Sequence, residues 1–169
     1  FNNETSQTVQ IIIYKSYNDA HIKAQNHNGL EIGYSPAIDI WHGDLHHFRF
    51  SNISPYVEQN IAFSVTIFAE DQWGNLIDNT AGATPYKGTV SLTCSLGIDK
   101  ITPTSVSFDD GTPNNGQVTP SVTITSPGTS VTITATDTTL NKTGTSNSFP
   151  VYAATLDHFA LSFPVVGTK

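Results

Sequence analysis

The sequence predicts an all-β protein built as a β-sandwich. Three observations support this prediction: Thr, Val, Ile and Phe are abundant, no stretch has the 3.6-residue periodicity of an amphipathic helix, and short alternating segments are separated by turn residues. The 23 Thr residues favour strands, because β-branched side chains lose rotamer freedom in a helix and fit the pleated surface of a sheet.

An internal repeat organises the chain. LHHF at Leu45–Phe48 matches LDHF at Leu156–Phe159, an offset of 111 residues (158 − 47 between the histidines), and at this offset residues 6–51 align with residues 117–162 without a gap. Apolar positions agree along this alignment: Ile11/Val122, Ile13/Ile124, Ile22/Ile133, Ala24/Ala135, Ile38/Phe149, Ile40/Val151 and Trp41/Tyr152. A fixed period of this kind predicts tandem modules. We expect residues 1–44 to be the C-terminal part of one repeat, 45–155 a complete repeat, and 156–169 the first strand of a third.

Within the complete repeat, period-2 alternation predicts about seven strands. On the segment Ile61–Ala69, the odd-numbered residues Ile61, Phe63, Val65, Ile67 and Ala69 are expected to share one face. The other predicted strands are Phe48–Ser51, Thr89–Cys94, Ser105–Phe108, Val122–Thr125, Ser130–Thr136 and Ser146–Tyr152, with turns at Trp73–Asn75, Asp109–Gly111, Asn115–Gly116, Pro127–Gly128 and Lys142–Gly144. Seven short strands in this length predict an immunoglobulin-like Greek-key sandwich.

Four segments resemble the immunoglobulin-like repeats of large bacterial and archaeal surface proteins: EDQWGNLID, YKGTVSLTCS, VTITATD and GTSNSFPVYAATLDHF. Repeats of that family have a strand ending in Ala-x-Asp and a Gly-Asn turn, here Ala69–Asn75, followed by Gly-Thr-Val-x-Leu-Thr, here Gly88–Thr93. They close with Ile-Thr-Ala-Thr-Asp, here Ile133–Asp137. The resemblance implies modules that serve in adhesins, surface layers, filaments or enzyme spacers. The segment Ile77–Tyr86 departs from a minimal hairpin and is predicted to be an exposed loop available for contacts.

Composition and motifs argue against several classes of function. The net charge of −7 and the pI near 5.1 disfavour binding to nucleic acid or to an anionic membrane surface. No apolar run is long enough to insert into a bilayer. Because HExxH, GxSxG, a phosphate-binding loop and a Cys-His pairing are all missing, we predict no catalytic residues and no enzymatic activity.

Two groups of residues are candidate metal sites. His42, His46 and His47 crowd one segment and form a candidate transition-metal site. The alternative is a structural role, because His47 recurs as His158 without the other ligands. Asp71, Asn75 and Asp78 surround the Gly74 turn and form a candidate Ca²⁺ site. The alternative is turn formation by Asp and Asn. We predict no cofactor, with Ca²⁺ at this candidate site as the alternative.

Aromatic, cysteine and glycosylation motifs add further candidates. Trp73 lies in a turn and is the candidate exposed aromatic for ligand contact, whereas Trp41 and Tyr152 occupy equivalent positions and are expected to pack at a strand end. Cys94 is expected in the core. N-glycosylation acceptor patterns occur at Asn3, Asn52 and Asn141.

Together these features predict an extracellular, cell-surface structural module of a stalk, a surface-layer-like lattice or a filament. Its expected partners are neighbouring repeats of the same chain, with self-assembly into a filament or lattice, and we expect the chain to be part of a longer array. The alternative is a carbohydrate-binding or other adhesin ligand-binding module, attached for example to a secreted enzyme.

Overall fold

The structure is a computed structural model that describes residues 8–109 and 116–154, and it confirms the all-β prediction. The described residues form seventeen strands and two single-turn 3₁₀ helices, Thr80–Gly82 and Ile98–Lys100. The strands are β1 Tyr17–Ala20, β2 Lys23–Gln25, β3 Ile32–Tyr34, β4 Ile38–Ile40, β5 His47–Phe50, β6 Val57–Glu58, β7 Phe63–Ser64, β8 Ile67–Glu70, β9 Thr89–Cys94, β10 Ile101–Thr102, β11 Ser105–Ser107, β12 Gln117–Val118, β13 Ser121–Ile124, β14 Gly128–Val131, β15 Ile133–Asp137, β16 Lys142–Thr145 and β17 Phe149–Tyr152. Neither helical turn is long and apolar enough to cross a membrane.

Strands β5 to β17 form several sheets around one core. Strand β8 pairs antiparallel with β5 and β12, and β13 pairs antiparallel with β7 and β10. Strand β9 pairs antiparallel with β11 and β15, and β15 with β16. Strand β17 pairs antiparallel with β14 and parallel with β6. This all-β arrangement of several sheets is consistent with a β-sandwich.

The buried core lies between these sheets, and all of its residues fall between Leu45 and Val151. On β9, Val90, Leu92 and Cys94 point inward while the residues between them are partly exposed. This confirms both the predicted alternation and the buried position of Cys94, as expected for a strand with one face on the core. We call residues 45–109 and 116–154 the core domain and residues 8–44 the N-terminal segment.

Three strand or turn predictions are wrong in detail. The predicted strand Ser130–Thr136 is divided at Thr132 between β14 and β15, which lie in different sheets. The predicted strand from Ile61 is broken into β7 and β8, and Ile61 is 58% exposed. Ile61 is exposed because it directly follows a turn after β6, in which Asn60 has φ +64° and the N–H of Ile61 bonds to the carbonyl of Glu58. Lys142–Gly144, predicted as a turn, belongs to β16, and the turn lies immediately before it, where Asn141 has φ +54°.

The N-terminal segment carries two antiparallel pairs, β1–β4 and β2–β3, and none of its residues is buried. Their register coincides with that of β14–β17 and β15–β16 when 111 residues are added to each number. Tyr17 pairs with Ile40 and Gly128 with Val151, while Ala24 pairs with Gly33 and Ala135 with Gly144. The predicted first strand of a third repeat, residues 156–169, and His158 lie outside the described residues.

Candidate functional site

The turn after β8 is built around the fully buried carboxylate of Asp71. Its Oδ1 accepts the backbone N–H groups of Trp73 and Asn75, each at 2.9 Å. Its Oδ2 accepts the backbone N–H of Gly43 at 2.9 Å and the side-chain amide of Asn75 at 2.8 Å. The carboxylate thereby closes its own turn and also holds Gly43, which lies just before the core domain in the chain.

The hydrogen bonds keep Asp71 ionised. Burial alone would raise the pKa of this carboxyl, but the Asn75 amide and the N–H groups of Gly43, Asn75 and Trp73 outweigh burial and lower the pKa below its usual value. A carboxylate that accepts several N–H bonds is stabilised in its charged form.

The predicted calcium ligands are therefore only partly together. Asp71 and Asn75 are in contact, and the Oδ1 of Asp78 accepts the N–H of Thr80 at 2.9 Å in a separate turn. A cation at Asp71 would have to displace N–H donors that already satisfy both oxygens. Across residues 8–109 and 116–154, no three His, Cys, Asp or Glu side chains lie close enough to hold a metal ion together. The Ca²⁺ site remains a prediction that these contacts do not support.

The histidines predicted as metal ligands fall into two places. The Nδ1 atoms of His46 and His47 lie 3.3 Å apart, and Nε2 of His47 lies 3.5 Å from Oε2 of the buried Glu70. His42 points elsewhere, with Nε2 3.1 Å from the carbonyl oxygen of Asp78. Glu70 is also bound by the guanidinium of Arg49 at 2.7 Å. These contacts give the histidines structural partners.

The N-terminal segment rests on the segment Asp71–Ala83. The side-chain amide of Asn75 donates to the carbonyl of Tyr14 at 2.7 Å and accepts the N–H of Ser16 at 3.2 Å. The indole N–H of Trp41 donates to the carbonyl of Ala81 at 3.0 Å. The rings of Tyr14 and Trp73 pack with centroids 5.4 Å apart. Both ends of the segment are thus held by one surface.

The predicted exposed loop Ile77–Tyr86 is only partly exposed. Ile77, Ala83 and Tyr86 are buried, and the 3₁₀ turn between them packs against β1. The loop does make contacts, as expected, but those contacts are with the N-terminal segment of the same chain.

Tyr86, at the end of this loop, forms a buried hydrogen-bonded pair with Asp137 that was not predicted from the sequence. The hydroxyl of Tyr86 donates to Oδ2 of Asp137 at 2.6 Å, and the Tyr86 ring packs against Phe48 and Phe108. Burial and the neighbouring carboxylate raise the pKa of Tyr86 well above its usual value. Burial would raise the pKa of Asp137, but hydrogen bonds from Tyr86, Leu140 and Thr139 lower it overall. The alternation of β15 was an available signal, because it places Asp137 on the buried face with Ile133 and Ala135.

Three aromatic residues singled out from the sequence are exposed: Trp41, Trp73 and Tyr152. Trp73 is half exposed, as predicted, and borders a cleft of about 390 Å³ that Asp44, His46, Gln72 and Lys142 also line. Trp41 and Tyr152 were predicted to pack at a strand end, but both side chains are exposed. For Tyr152 the prediction is wrong. Trp41 makes a hydrogen bond instead, from its indole N–H to the carbonyl of Ala81.

Two of the three predicted glycosylation acceptors are described, and both are exposed. Asn52 follows β5, and Asn141 lies in the turn between β15 and β16. Asn3 lies outside the described residues. Glycosylation at these positions remains a prediction.

Comparison of the chain with protein-family models, with curated proteins and with solved structures finds no match. The proposals below therefore rest on the residues and contacts of this chain.

Proposed function

We propose that this chain is a stretch of a tandem array of immunoglobulin-like modules that acts as a structural stalk, lattice or filament outside the cell. In this proposal residues 45–155 are one complete module, the N-terminal segment is the end of a preceding module, and residues 156–169 begin the next. The role is mechanical: each module spaces its neighbours and is held by them.

The coincidence of strand register carries this proposal. Beyond the pairings, Ser35 and Ser146 make the same bonds: each side-chain oxygen accepts the N–H of an isoleucine at 2.9 Å, from Ile22 and Ile133 respectively. Each serine N–H also donates back to the carbonyl of the same isoleucine at 2.9 Å. Two segments of weakly similar sequence thus have one local structure at the period found in the sequence, as repeat proteins do.

Burial differs sharply between the two segments. Ile11 is 52% exposed and Ile38 is 38% exposed, whereas their counterparts Val122 and Phe149 are fully buried. In the core domain Val122 and Phe149 belong to the hydrophobic core, where the ring of Phe63 packs against Phe149 with centroids 5.9 Å apart. The exposed apolar face of the N-terminal segment is what an incomplete module would present, because contiguous exposed apolar surface marks an interaction site.

The pairing order supports the immunoglobulin-like topology. The short sheets β12-β8-β5 and β10-β13-β7 are joined by the hydrogen bond from the N–H of Val65 to the carbonyl of Pro120, and we take them as one layer of the proposed sandwich. The sheet β11-β9-β15-β16 is then the second layer, so strands close in sequence are divided between the two layers. The parallel pairing of β6 with β17 joins the first part of the domain to its last strand. These are features of a two-sheet Greek-key sandwich.

The few charged residues and the Thr-rich exposed faces support lateral packing between copies, and the exposed Asn52 and Asn141 acceptors support an extracellular setting. The decisive experiment is intact mass and peptide mapping of the native polypeptide. Further repeats near 111 residues are expected on at least one side of this sequence. A native polypeptide without them contradicts the proposal.

A second candidate function is that of a carbohydrate-binding module. It rests on the half-exposed Trp73 and the polar cleft beside it, since aromatic faces with a few polar groups are typical of small-ligand sites. A glycan array followed by titration calorimetry tests it. Saturable binding that Trp73→Ala abolishes would support this function, and no binding across the array would leave the structural role.

A further inference from the structure

The side chain of Asn75 imitates a strand residue. Its amide donates to the carbonyl of Tyr14 and accepts from the N–H of Ser16, the two groups that flank Lys15. One residue of a parallel strand engages a neighbouring backbone in the same way, through the carbonyl before and the N–H after the facing residue. Asn75 therefore extends backbone pairing from the core domain to the N-terminal segment through a single side chain.

Asp71 fixes the direction of this amide. An ionised carboxylate only accepts hydrogen bonds, so the contact of Asn75 with Oδ2 of Asp71 must be made by the amide nitrogen. The second N–H of the same nitrogen then points to Tyr14 and the amide oxygen to Ser16. Asn75 is almost fully buried, and all three of its polar contacts are made in one orientation.

The same surface holds the other end of the N-terminal segment. Gly43 donates to Asp71, and a Cβ at position 43 would lie 3.2 Å from the ring of Trp73. Trp41 donates to Ala81 at the far end of the surface. Two separate stretches, 14–16 and 41–43, are thus attached at points distributed along Asp71–Ala83, which restricts rotation more than one linker would.

We propose that Asp71–Ala83 is a docking surface for the preceding module of the same polypeptide. The side-chain hydrogen bonds of Asn75 with Tyr14 and Ser16, called the latch below, set the angle between the two modules. The identity of the partner rests on the proposed function, whereas the latch itself is a contact within this chain. The partner chemistry is specific: an extended backbone with free polar groups at two alternate positions, followed downstream by an indole N–H and a small residue.

Hydrogen exchange by NMR on the 169-residue chain tests the latch. In the wild type we expect the N–H of Ser16 to be protected and the Tyr14 ring to show nuclear Overhauser contacts with the Trp73 indole. In Asn75→Ala we expect the exchange of the Ser16 N–H to accelerate about tenfold or more, because a partly buried hydrogen bond is lost. The N–H groups of Leu92 and Ala135 should stay protected, since they report on the core.

Asn147→Ala is the matched control. Asn147 also bridges backbone with its side-chain amide, accepting the N–H of Ile53 at 2.8 Å and donating to its carbonyl at 3.1 Å, but it acts inside the core domain. Its substitution should expose the Ile53 N–H and leave Ser16 unchanged.

Free exchange of the Ser16 N–H in the wild type, or absence of the Tyr14–Trp73 contacts, overturns the latch even if Asn75→Ala does not fold. Equal protection of Ser16 in the wild type and in a folded Asn75→Ala variant also overturns it. These outcomes are separate from the proposed function, which is decided by the repeats found in the native polypeptide.

Discussion

Two glycines offer a sharp test of the proposed repeat. Gly144 in β16 and Gly33 in β3 are related by the 111-residue offset and pair with Ala135 and Ala24 in the same register. A Cβ at Gly144 would overlap the carbonyl oxygen of Phe48 and lie 2.5 Å from its carbonyl carbon. A Cβ at Gly33 would meet nothing within 4 Å.

Gly144→Ala should therefore destabilise the core domain severely. Strand β5 cannot move away from the new methyl group without disturbing its pairing with β8, in which Phe48 faces Ala69. Overpacking of a core costs about 1–3 kcal/mol, and because the clash is with backbone we expect the upper end, about 3 kcal/mol. For a domain of this size that corresponds to a fall in Tm of roughly 10–20 °C.

Gly33→Ala should leave the stability of the same chain unchanged or raise it slightly, because alanine loses less backbone entropy than glycine in a strand. Urea and thermal unfolding of the 169-residue chain, followed by circular dichroism, compare both variants with the wild type. A Gly144→Ala variant within about 0.5 kcal/mol of wild type, the range of a neutral surface change, refutes the packing argument.

The same pair then tests the array. In a polypeptide that includes the complete preceding module, Gly33 would face the counterpart of Phe48, and Gly33→Ala should become as damaging as Gly144→Ala. A Gly33→Ala variant that remains neutral there contradicts the equivalence of the two segments. If Gly33→Ala destabilises the 169-residue chain itself, another surface already packs on the face of β3 that carries Gly33. A dependence of Tm on protein concentration would then show that this surface belongs to a second copy of the chain.

Three further predictions concern the core domain. Tyr86→Phe should lower the free energy of unfolding by about 1.5–3 kcal/mol, because the buried carboxylate of Asp137 loses a hydrogen bond. Urea unfolding measures this change, and an unchanged midpoint would show that the bond does not stabilise the fold. The free energy of unfolding should fall as pH drops below about 4. The pKa values of Asp71 and Asp137 are lower in the folded state than in the unfolded state. Their contribution to stability is therefore fully present above the unfolded-state pKa and is lost as pH falls through the folded-state pKa. Thermal melts from pH 7 to 2 should show a shallower acid decline for Asp137→Asn, whose amide removes the titration; an identical decline would assign the acid sensitivity to other groups. Leu92→Ala should cost about 2–5 kcal/mol by leaving a cavity, whereas the matched change at the exposed Leu140 should cost little, and equal effects would contradict the assigned burial.

Strand type and inward faces were predictable where alternation was unbroken. Val90, Leu92 and Cys94 followed their period because one face of β9 meets the core and the other meets polar surroundings. The prediction failed at Ile61, where the same alternation continued into a turn that depends on the positive φ of Asn60. Hydrophobic periodicity contains no information about such a backbone bend. Predictions made from it are therefore least accurate at the ends of strands.

The candidate site was found in part, and for a physical reason. The sequence marked Asp71 and Asn75 as a turn because Asp and Asn bond to nearby backbone. It could not show that Asn75 also binds Tyr14 and Ser16, which lie about 60 positions earlier in the chain. The direction of Trp41 was likewise missed, since its indole bonds to Ala81 and the sequence suggested only an apolar position at a strand end.

The contacts between the N-terminal segment and Asp71–Ala83 would allow the proposed repeats to diverge in sequence and keep one geometry. On the N-terminal side the groups held are mostly backbone: the carbonyl of Tyr14 and the N–H groups of Ser16 and Gly43. Every residue has these backbone groups whatever its side chain. The contact therefore restricts the side chain mainly at two positions of the N-terminal segment: it needs an aromatic with a hydrogen-bond donor at position 41 and a small residue at position 43. At the offset of 111 these two positions hold Tyr152 and Ala154, an aromatic with a hydroxyl donor and the smallest residue after glycine. In the proposed array, the exposed Tyr152 would match the demands of an equivalent surface in a following module, and the specificity of each junction would rest on the Asp-x-x-Gly-Asn turn of the module that receives it.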